Sequence, residues 1–300
     1  MKIFITGGLG FVGRHVSRAF LQAGHQVTAV GRSRQPEMID HPNFDYLAAD
    51  TTQPGDWQRA VGEHQAVVNL AGRSIFTLWT ERAKKEMVDS RVLTTRHLVE
   101  AIGPGGPTLL CSTSAVGYYG DRGEDHLTEA AAPGDDFLAA LSLEWEAEAL
   151  KAEARGVRVV LTRFGIVLER GGGAMAMMIP AFRLYLAGPL GSGQQWFPWI
   201  HMQDLTAAFQ FVVDHEKLSG AFNFCAPEPV RNQRLTRTLA DQLDRPAFLW
   251  APSLMVKMVL GEFGQVLLHS QRVTPARLTE AGFTFQYPTI DTALTQIVAQ

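Results

Sequence analysis

The chain has 300 residues, 46% hydrophobic and 19% charged, with a formal net charge of −3. That length and apolar content suffice to bury a large core, and the absence of a basic cluster excludes nucleic acid as the main partner, leaving a small molecule as the expected ligand. The first strand-like run begins at residue 2 and no apolar run reaches spanning length, so no leader and no membrane partner are expected, and the cytoplasm is the expected compartment.

In chain order, apolar strand-like runs at residues 2–6, 26–31, 45–49, 65–70, 108–113 and 157–163 alternate with helical stretches at 13–23, 80–102 and 137–155. That alternation predicts an α/β fold, a doubly wound Rossmann-type parallel sheet with crossover helices. In the second helical stretch Val88, Val92, Thr95, Leu98 and Val99 recur at helical spacing, Thr80 is the N-cap candidate, and Gly103-Pro104-Gly105-Gly106-Pro107 is the stop. Beyond residue 165 the pattern changes: residues 171–200 are rich in Gly, Met and aromatics, and Pro246 to Gln300 shows short helices broken by Pro and Gly. We therefore expect a dinucleotide-binding domain over 1–225, with substrate-side insertions at about 171–200, and a small, mainly helical lobe over 226–300 packed against it. Cys111 and Cys225 lie far apart inside apolar runs, which reads as two buried thiols rather than a disulfide, and no metal site is expected. The oligomeric state is left open.

The first strand breaks into Gly7-Gly8-Leu9-Gly10-Phe11-Val12-Gly13 and then into a helix. This G-x-x-G-x-x-G spacing places residues without a Cβ where the turn is tight, where backbone approaches a pyrophosphate, and where helix packs on strand. The helix N-terminus then offers free N–H groups and a positive dipole end to the phosphates. The second strand ends in Gly31-Arg32-Ser33-Arg34, where a protein choosing NAD would place an acid on the ribose hydroxyls. Arg32 instead offers a permanently charged fork suited to a 2′-phosphate, with Arg34 as possible support, which points to NADP(H).

These features resemble the short-chain dehydrogenase/reductase superfamily, in particular its extended, epimerase-like branch. The marks are the Thr6–Gly13 run, Asn69-Leu70-Ala71-Gly72, Ser112-Thr113-Ser114-Ala115-Val116-Gly117-Tyr118-Tyr119-Gly120, Arg163–Leu168 and Trp199–Asp204. More narrowly, the Gly188–Gly193 loop, Leu260-Gly261-Glu262, Gln271-Arg272 and Ala281-Gly282-Phe283 resemble the atypical "epimerase family protein" subgroup, for which no settled reaction is implied. The resemblance implies backbone contacts from Leu70 and Ala71 to the adenosine half of the cofactor, and from Val167 to the nicotinamide amide. It also implies that Glu86 and Arg91 face the nicotinamide half; helix-surface ion pairs are the alternative. Asp50 falls where relatives place an acid near the adenine edge, and reads equally as a turn residue.

Catalysis is where the sequence departs from the family. Typical members use Tyr-x-x-x-Lys on the helix after the fifth strand, the lysine lowering the phenol pKa. Here the matching stretch reads Phe137-Leu138-Ala139-Ala140-Leu141, and none of the tyrosines at 46, 118, 119, 185 and 287 has a lysine four residues on. Ser114 aligns with the substrate-polarising serine, and Tyr118 is the candidate proton donor. Tyr119, Arg163, Trp199 and His201 are candidates for the substrate pocket, with packing, an acid partner at the sheet end, or a buried hydrogen bond as alternatives. Asp204 reads as a helix cap. The expected function is an oxidoreductase or epimerase-like activity on a small carbonyl or sugar-like compound; the competing class is an NADP(H)-binding sensor or scaffold without turnover.

Overall fold

The computed structural model describes residues 1–34 and 37–299, so the last residue of the 226–300 lobe lies outside the described residues. The first part of the chain runs β1 (Lys2–Thr6), α1 (Phe11–Gln22), β2 (Gln26–Gly31), β3 (Phe44–Ala48), α2 (Trp57–Val61), β4 (Ala66–Asn69), α3 (Glu81–Glu100) and β5 (Leu109–Ala115). It continues through β6 (His126–Leu127), α4 (Phe137–Leu150), β7 (Arg158–Phe164), β8 (Ile166–Leu168), α5 (Gly173–Arg183), β9 (Trp196–Phe197), β10 (Trp199–His201), α6 (Met202–Asp214) and β11 (Gly220–Phe224). The remainder is β12 (Val230–Arg231), α7 (Asn232–Leu243), α8 (Ser253–Val266), β13 (Arg272–Val273), α9 (Ala276–Glu280) and α10 (Ile290–Ala299).

Seven parallel strands form one sheet in the order β3-β2-β1-β4-β5-β7-β11. The order reverses between β1 and β4, and the carboxyl ends of the strands at such a reversal are where an open α/β sheet forms its ligand crevice. Both faces of the sheet are buried, which is why its strands read as continuous apolar runs. Ile3 and Ile5 of β1 pack with Val16 and Phe20 of α1 and Phe209 of α6, whereas Phe4 between them joins Trp57, Val61 and Leu98 on the other side.

The helix ends follow local chemistry. The Thr80 hydroxyl accepts the Ala83 N–H at 3.1 Å and caps α3. The single stretch expected over 137–155 divides: α4 ends at Leu150 and a 3₁₀ turn over Lys151–Arg155 runs into Gly156, which takes φ 77°. Cys111 and Cys225 are free and buried, and burial pushes the Cys111 thiol up to about 12. A second core joins Leu168, Met175 and Trp199 to Leu239, Leu294 and Ile297, so the 171–200 insertion and the C-terminal segment share one interior.

Candidate functional site

The glycine run shapes one wall of the crevice. Gly7 has φ 67° and donates its N–H to the Val30 carbonyl at 2.8 Å. A methyl on Gly8 would lie 2.6 Å from Ala29 Cβ, and one on Gly13 only 2.1 Å from the Gly7 carbonyl oxygen, so α1 starts closer to the loop than any side chain allows. Gly10 is the N-cap and supplies no side chain to cap with, and the first N–H within α1 to return to the loop backbone is that of Arg14, to the Gly10 carbonyl. The N–H groups of Phe11, Val12 and Gly13 are thus left at the open helix end, as a pyrophosphate requires. The Phe11 ring lies under a second glycine pair, where methyls on Gly172 and Gly173 would come 2.3 and 3.0 Å from it.

On the neighbouring loop, Tyr46 of β3 donates its hydroxyl to the Ser33 carbonyl at 2.9 Å, 3.1 Å from where a Gly31 side chain would begin, and this holds the turn that carries Arg32. Arg32 is exposed and makes no ion pair among the described residues. At the end of β3 a cavity of about 460 Å³ is bordered by Asp50, Gln53 and Trp57. Asp50 accepts the Thr52 N–H and hydroxyl at 3.0 and 2.8 Å, which is turn chemistry. Across the crevice, the Thr6 hydroxyl donates to Asn69 Oδ1 at 2.6 Å and accepts the N–H groups of Leu70 and Ala71 at 3.1 and 3.2 Å. Asn69 in turn donates to Thr95 and Ser112 at 2.8 and 3.2 Å, and so ties β1, β4, β5 and α3 together behind the loop. Nothing in the local sequence announces this network; it is assembled by register.

The two residues expected on α3 separate. Glu86 is engaged by Arg73 and, at 2.8 Å, by Arg82, so it takes the ion-pair alternative. Arg91 has no carboxylate partner among the described residues. Its guanidinium donates to the Met87 carbonyl at 3.1 Å, lies 5.3 Å from the Trp145 ring, and sits 3.1 Å from where a Gly72 side chain would be; burial lowers it to about 10. A desolvated cation without a counterion favours an incoming anion.

Behind β5 and β7 the polar groups are spent on one another. The Ser114 hydroxyl donates to Glu146 Oε1 at 2.6 Å, and Arg163 donates to both Glu146 oxygens at 2.8 Å, with all three side chains buried. Burial works against the Arg163 charge, yet Glu146 holds the guanidinium well above its ordinary value. Arg163 also donates to Tyr119 at 3.1 Å; Tyr119 donates to Asn223 at 2.7 Å, and burial pushes its phenol up to about 12. With its hydrogen committed to Glu146, Ser114 presents lone pairs, where a carbonyl-polarising serine would present a donor. Arg163 neutralises an acid at the sheet end. Tyr118 is half-buried, its ring 3.5 Å from Arg163 Cζ, and its hydroxyl has no partner among the described residues. Phe137 and Leu141, in place of the Tyr and Lys, belong to an apolar cluster with Met87 and Val92, Phe137 edge-on to Trp79 at 5.2 Å.

Glu146 is the residue that sequence reading missed. The available signal was a carboxylate on the apolar face of α4, one residue after Trp145 and one turn after Ser142, opposite a strand whose penultimate residue is Arg163.

The structure puts Trp199 and His201 in the interior. β10 pairs with β8, placing Trp199 beside Ile166 and His201 beside Leu168; Val167 lies between them, half-buried. His201 Nδ1 accepts the Gln203 N–H at 3.2 Å and so caps α6, while Nε2 meets Gln296 Oε1 at 2.9 Å, and burial lowers the imidazole pKa. That corrects the cap assignment of Asp204, whose carboxylate instead receives the N–H groups of Gln286 and Tyr287 at 2.7 and 2.9 Å. The Gly188–Gly193 loop is packed rather than free: a methyl on Gly188 would meet the Leu249 carbonyl at 2.3 Å, and Gly191 and Gly193 have φ of 56° and 69°.

Sheet order, glycine cradle and crevice together define a dinucleotide-binding protein of the short-chain dehydrogenase/reductase architecture. The chain belongs to the NAD-dependent epimerase/dehydratase family, whose model matches residues 3–225, and a domain family of unknown function, DUF1731, matches residues 251–297. It is 39% identical over 302 residues to the epimerase family protein SDR39U1 homolog, chloroplastic, of Arabidopsis thaliana, covering 99% of this chain and 87% of that one. It is 37% identical to the epimerase family protein SERP0438 of Staphylococcus epidermidis, covering 99% of each. The crystal structure of the human epimerase family protein SDR39U1 (isoform 2) with NADPH superposes with a TM-score of 0.88 at 34% identity, covering 100% of both chains. Among the described residues no helix is long and apolar enough to cross a membrane.

Proposed function

We propose that this protein is an NADP(H)-dependent oxidoreductase or epimerase-like enzyme acting on a small carbonyl or sugar-like compound without the Tyr-x-x-x-Lys pair. The observation that carries the cofactor half is that Arg32 and Arg91 lack carboxylate partners among the described residues while the N–H groups at the start of α1 stand open. The NADPH in the human relative supports the same choice. In this reading the glycine loop holds the pyrophosphate, Arg32 the 2′-phosphate, Leu70 and Ala71 the adenosine side, and Arg91 and Val167 the nicotinamide half. When bound, the cofactor supplies or takes up a hydride. Ser114, its hydroxyl hydrogen engaged in the hydrogen bond it donates to Glu146, accepts a hydrogen bond from a substrate hydroxyl, and Tyr118, whose hydroxyl has no partner among the described residues, carries the proton.

The test is a panel of carbonyl compounds followed by NADPH absorbance, with Ser114→Ala and Tyr118→Phe alongside. Turnover lowered at least about a hundredfold in Tyr118→Phe is the expected result, within the range for loss of a general acid. The packing of Phe137 and Leu141 and the saturation of Arg163 favour a second reading, a cofactor-binding sensor; tight NADPH binding with no turnover of any compound would establish it over the first.

A further inference from the structure

The pair Gln271-Arg272 lies in the C-terminal stretch matched by the domain family of unknown function, 151 residues beyond Gly120, yet its first residue reaches the turn that carries Tyr118. Gln271 Nε2 donates to the Val116 carbonyl at 3.1 Å and to the Gly120 carbonyl at 2.9 Å. Both hydrogens of one amide are thus spent on carbonyls that bracket Gly117, Tyr118 and Tyr119. Among the described residues no other side chain bonds to either carbonyl.

The segment around Gln271 is itself held in place. Gln271 donates its backbone N–H to the Trp196 carbonyl at 3.2 Å, and Ser270 donates its N–H to Asp121 Oδ1 at 2.9 Å and its hydroxyl to the Gly123 carbonyl at 2.6 Å. β13 then runs parallel to β6, with Arg272 beside His126. On its other side the turn rests on the sheet domain. A methyl on Gly117 would come 3.0 Å from Leu138 Cβ of α4, Gly134 donates its N–H to the Tyr118 carbonyl at 2.9 Å, and Arg163 Cζ lies 3.5 Å from the centre of the Tyr118 ring.

A tyrosine on α4 would be aimed by the helix that carries it, but Phe137 and Leu141 stand there. The phenol sits instead on a 3₁₀ turn over Val116–Tyr119, whose own hydrogen bonds have poorer geometry than those of an α-helix, so its position depends on bonds from outside. We propose that Gln271 is a positioning residue for proton transfer by Tyr118, fixing the turn through the two carbonyls and thereby giving the C-terminal lobe a part in the chemistry. The inference rests on Tyr118 as the proton carrier. Removing the amide frees both ends of the turn, and a ~1 Å misplacement of a reacting group costs on the order of a hundredfold in rate.

The test is Gln271→Met, which keeps the length of the side chain and removes the donor. In protein labelled with fluorotyrosine, with the Tyr118 line assigned by Tyr118→Phe, the Tyr118 fluorine resonance should shift or broaden while those of Tyr46, Tyr185 and Tyr287 stay in place. An unmoved Tyr118 line in the folded variant would overturn the proposal. With a compound that the wild type turns over, kcat should fall about tenfold or more while KM for NADPH stays within about threefold. Added to Tyr118→Phe, the same change should cost less than about twofold further, because Gln271 acts through Tyr118. An unchanged kcat, or a full additional loss in the double variant, would overturn the positioning role. A wild type that turns over no compound would overturn proton transfer at Tyr118 itself, and the fluorine line would still decide whether Gln271 fixes the phenol. Should Gln271→Met fail to fold, Gln271→Asn, with its amide on a shorter stem, takes its place with the same expected outcomes.

Discussion

The two halves of the crevice treat their polar groups in opposite ways. Around β1, β2 and β4 the cations and N–H groups are left open: Arg32 is exposed, Arg91 is desolvated with no carboxylate partner among the described residues, and α1 begins on a bare glycine. Behind β5 and β7, where proton chemistry usually sits, Glu146, Arg163, Tyr119 and Asn223 satisfy one another in the interior, and Ser114, its hydrogen bonded to Glu146, keeps only its lone pairs for a ligand. Polar groups at a binding surface are kept for a ligand, whereas those that cement a core are not available to it. The family fold is thus compatible with a binding half that follows the shared pattern and a chemical half that does not.

The contrast can be broken most sharply at Glu146. Glu146→Ala strands the Arg163 guanidinium in the interior and should cost about 3–5 kcal/mol in urea unfolding at neutral pH. A loss below about 1 kcal/mol would show that the network is not structural. Next in size is Gly13→Ala, whose methyl collides with the Gly7 carbonyl. It should cost about 1–3 kcal/mol of stability, and displacement of the loop should lower NADPH affinity about tenfold or more, a change of ~1.4 kcal/mol readable by calorimetry. Arg91→Met should behave differently. Because it removes a cation with no ion-pair partner among the described residues, stability should hold within about 1 kcal/mol while NADPH affinity drops about tenfold; equal damage to both would place Arg91 in the structural half.

The smallest effect is a pH slope. Burial lowers the His201 pKa from the ordinary 6.5, so the unfolded chain binds a proton that the folded chain refuses. Its share of stability is present above pH 6.5 and is lost as pH falls from there through the lowered value. His201→Asn should flatten that part of the acid limb, compared by unfolding at pH 7.5 and 5.5; an unchanged slope would mean that His64, which burial also lowers, and the other histidines account for it.

What was legible in the sequence was what local period and local chemistry encode. The strands of the main sheet announce themselves because both faces are buried, Thr80 because capping needs an oxygen there, and the glycines because no side chain fits. The Ser114–Glu146–Arg163 cluster was not legible, since its members come from β5, α4 and β7 and only the sheet order brings them together. Trp199 and His201 read as pocket residues because their segment resembles one that borders the substrate cleft in the epimerase branch. Both side chains are buried, on a strand paired with β8, and that pairing is a tertiary fact the local sequence does not carry.

The central claim is that the crevice selects the phosphorylated cofactor through Arg32, and titration calorimetry of NADPH and NADH against the wild type and Arg32→Asp tests it most directly. Losing a charge-assisted bond and gaining repulsion should weaken NADPH about 10- to 100-fold, in line with ~1.5–3 kcal/mol for such a bond, while NADH changes less than about threefold. Equal losses for both nucleotides, or a wild type that binds NADH as tightly as NADPH, would contradict it.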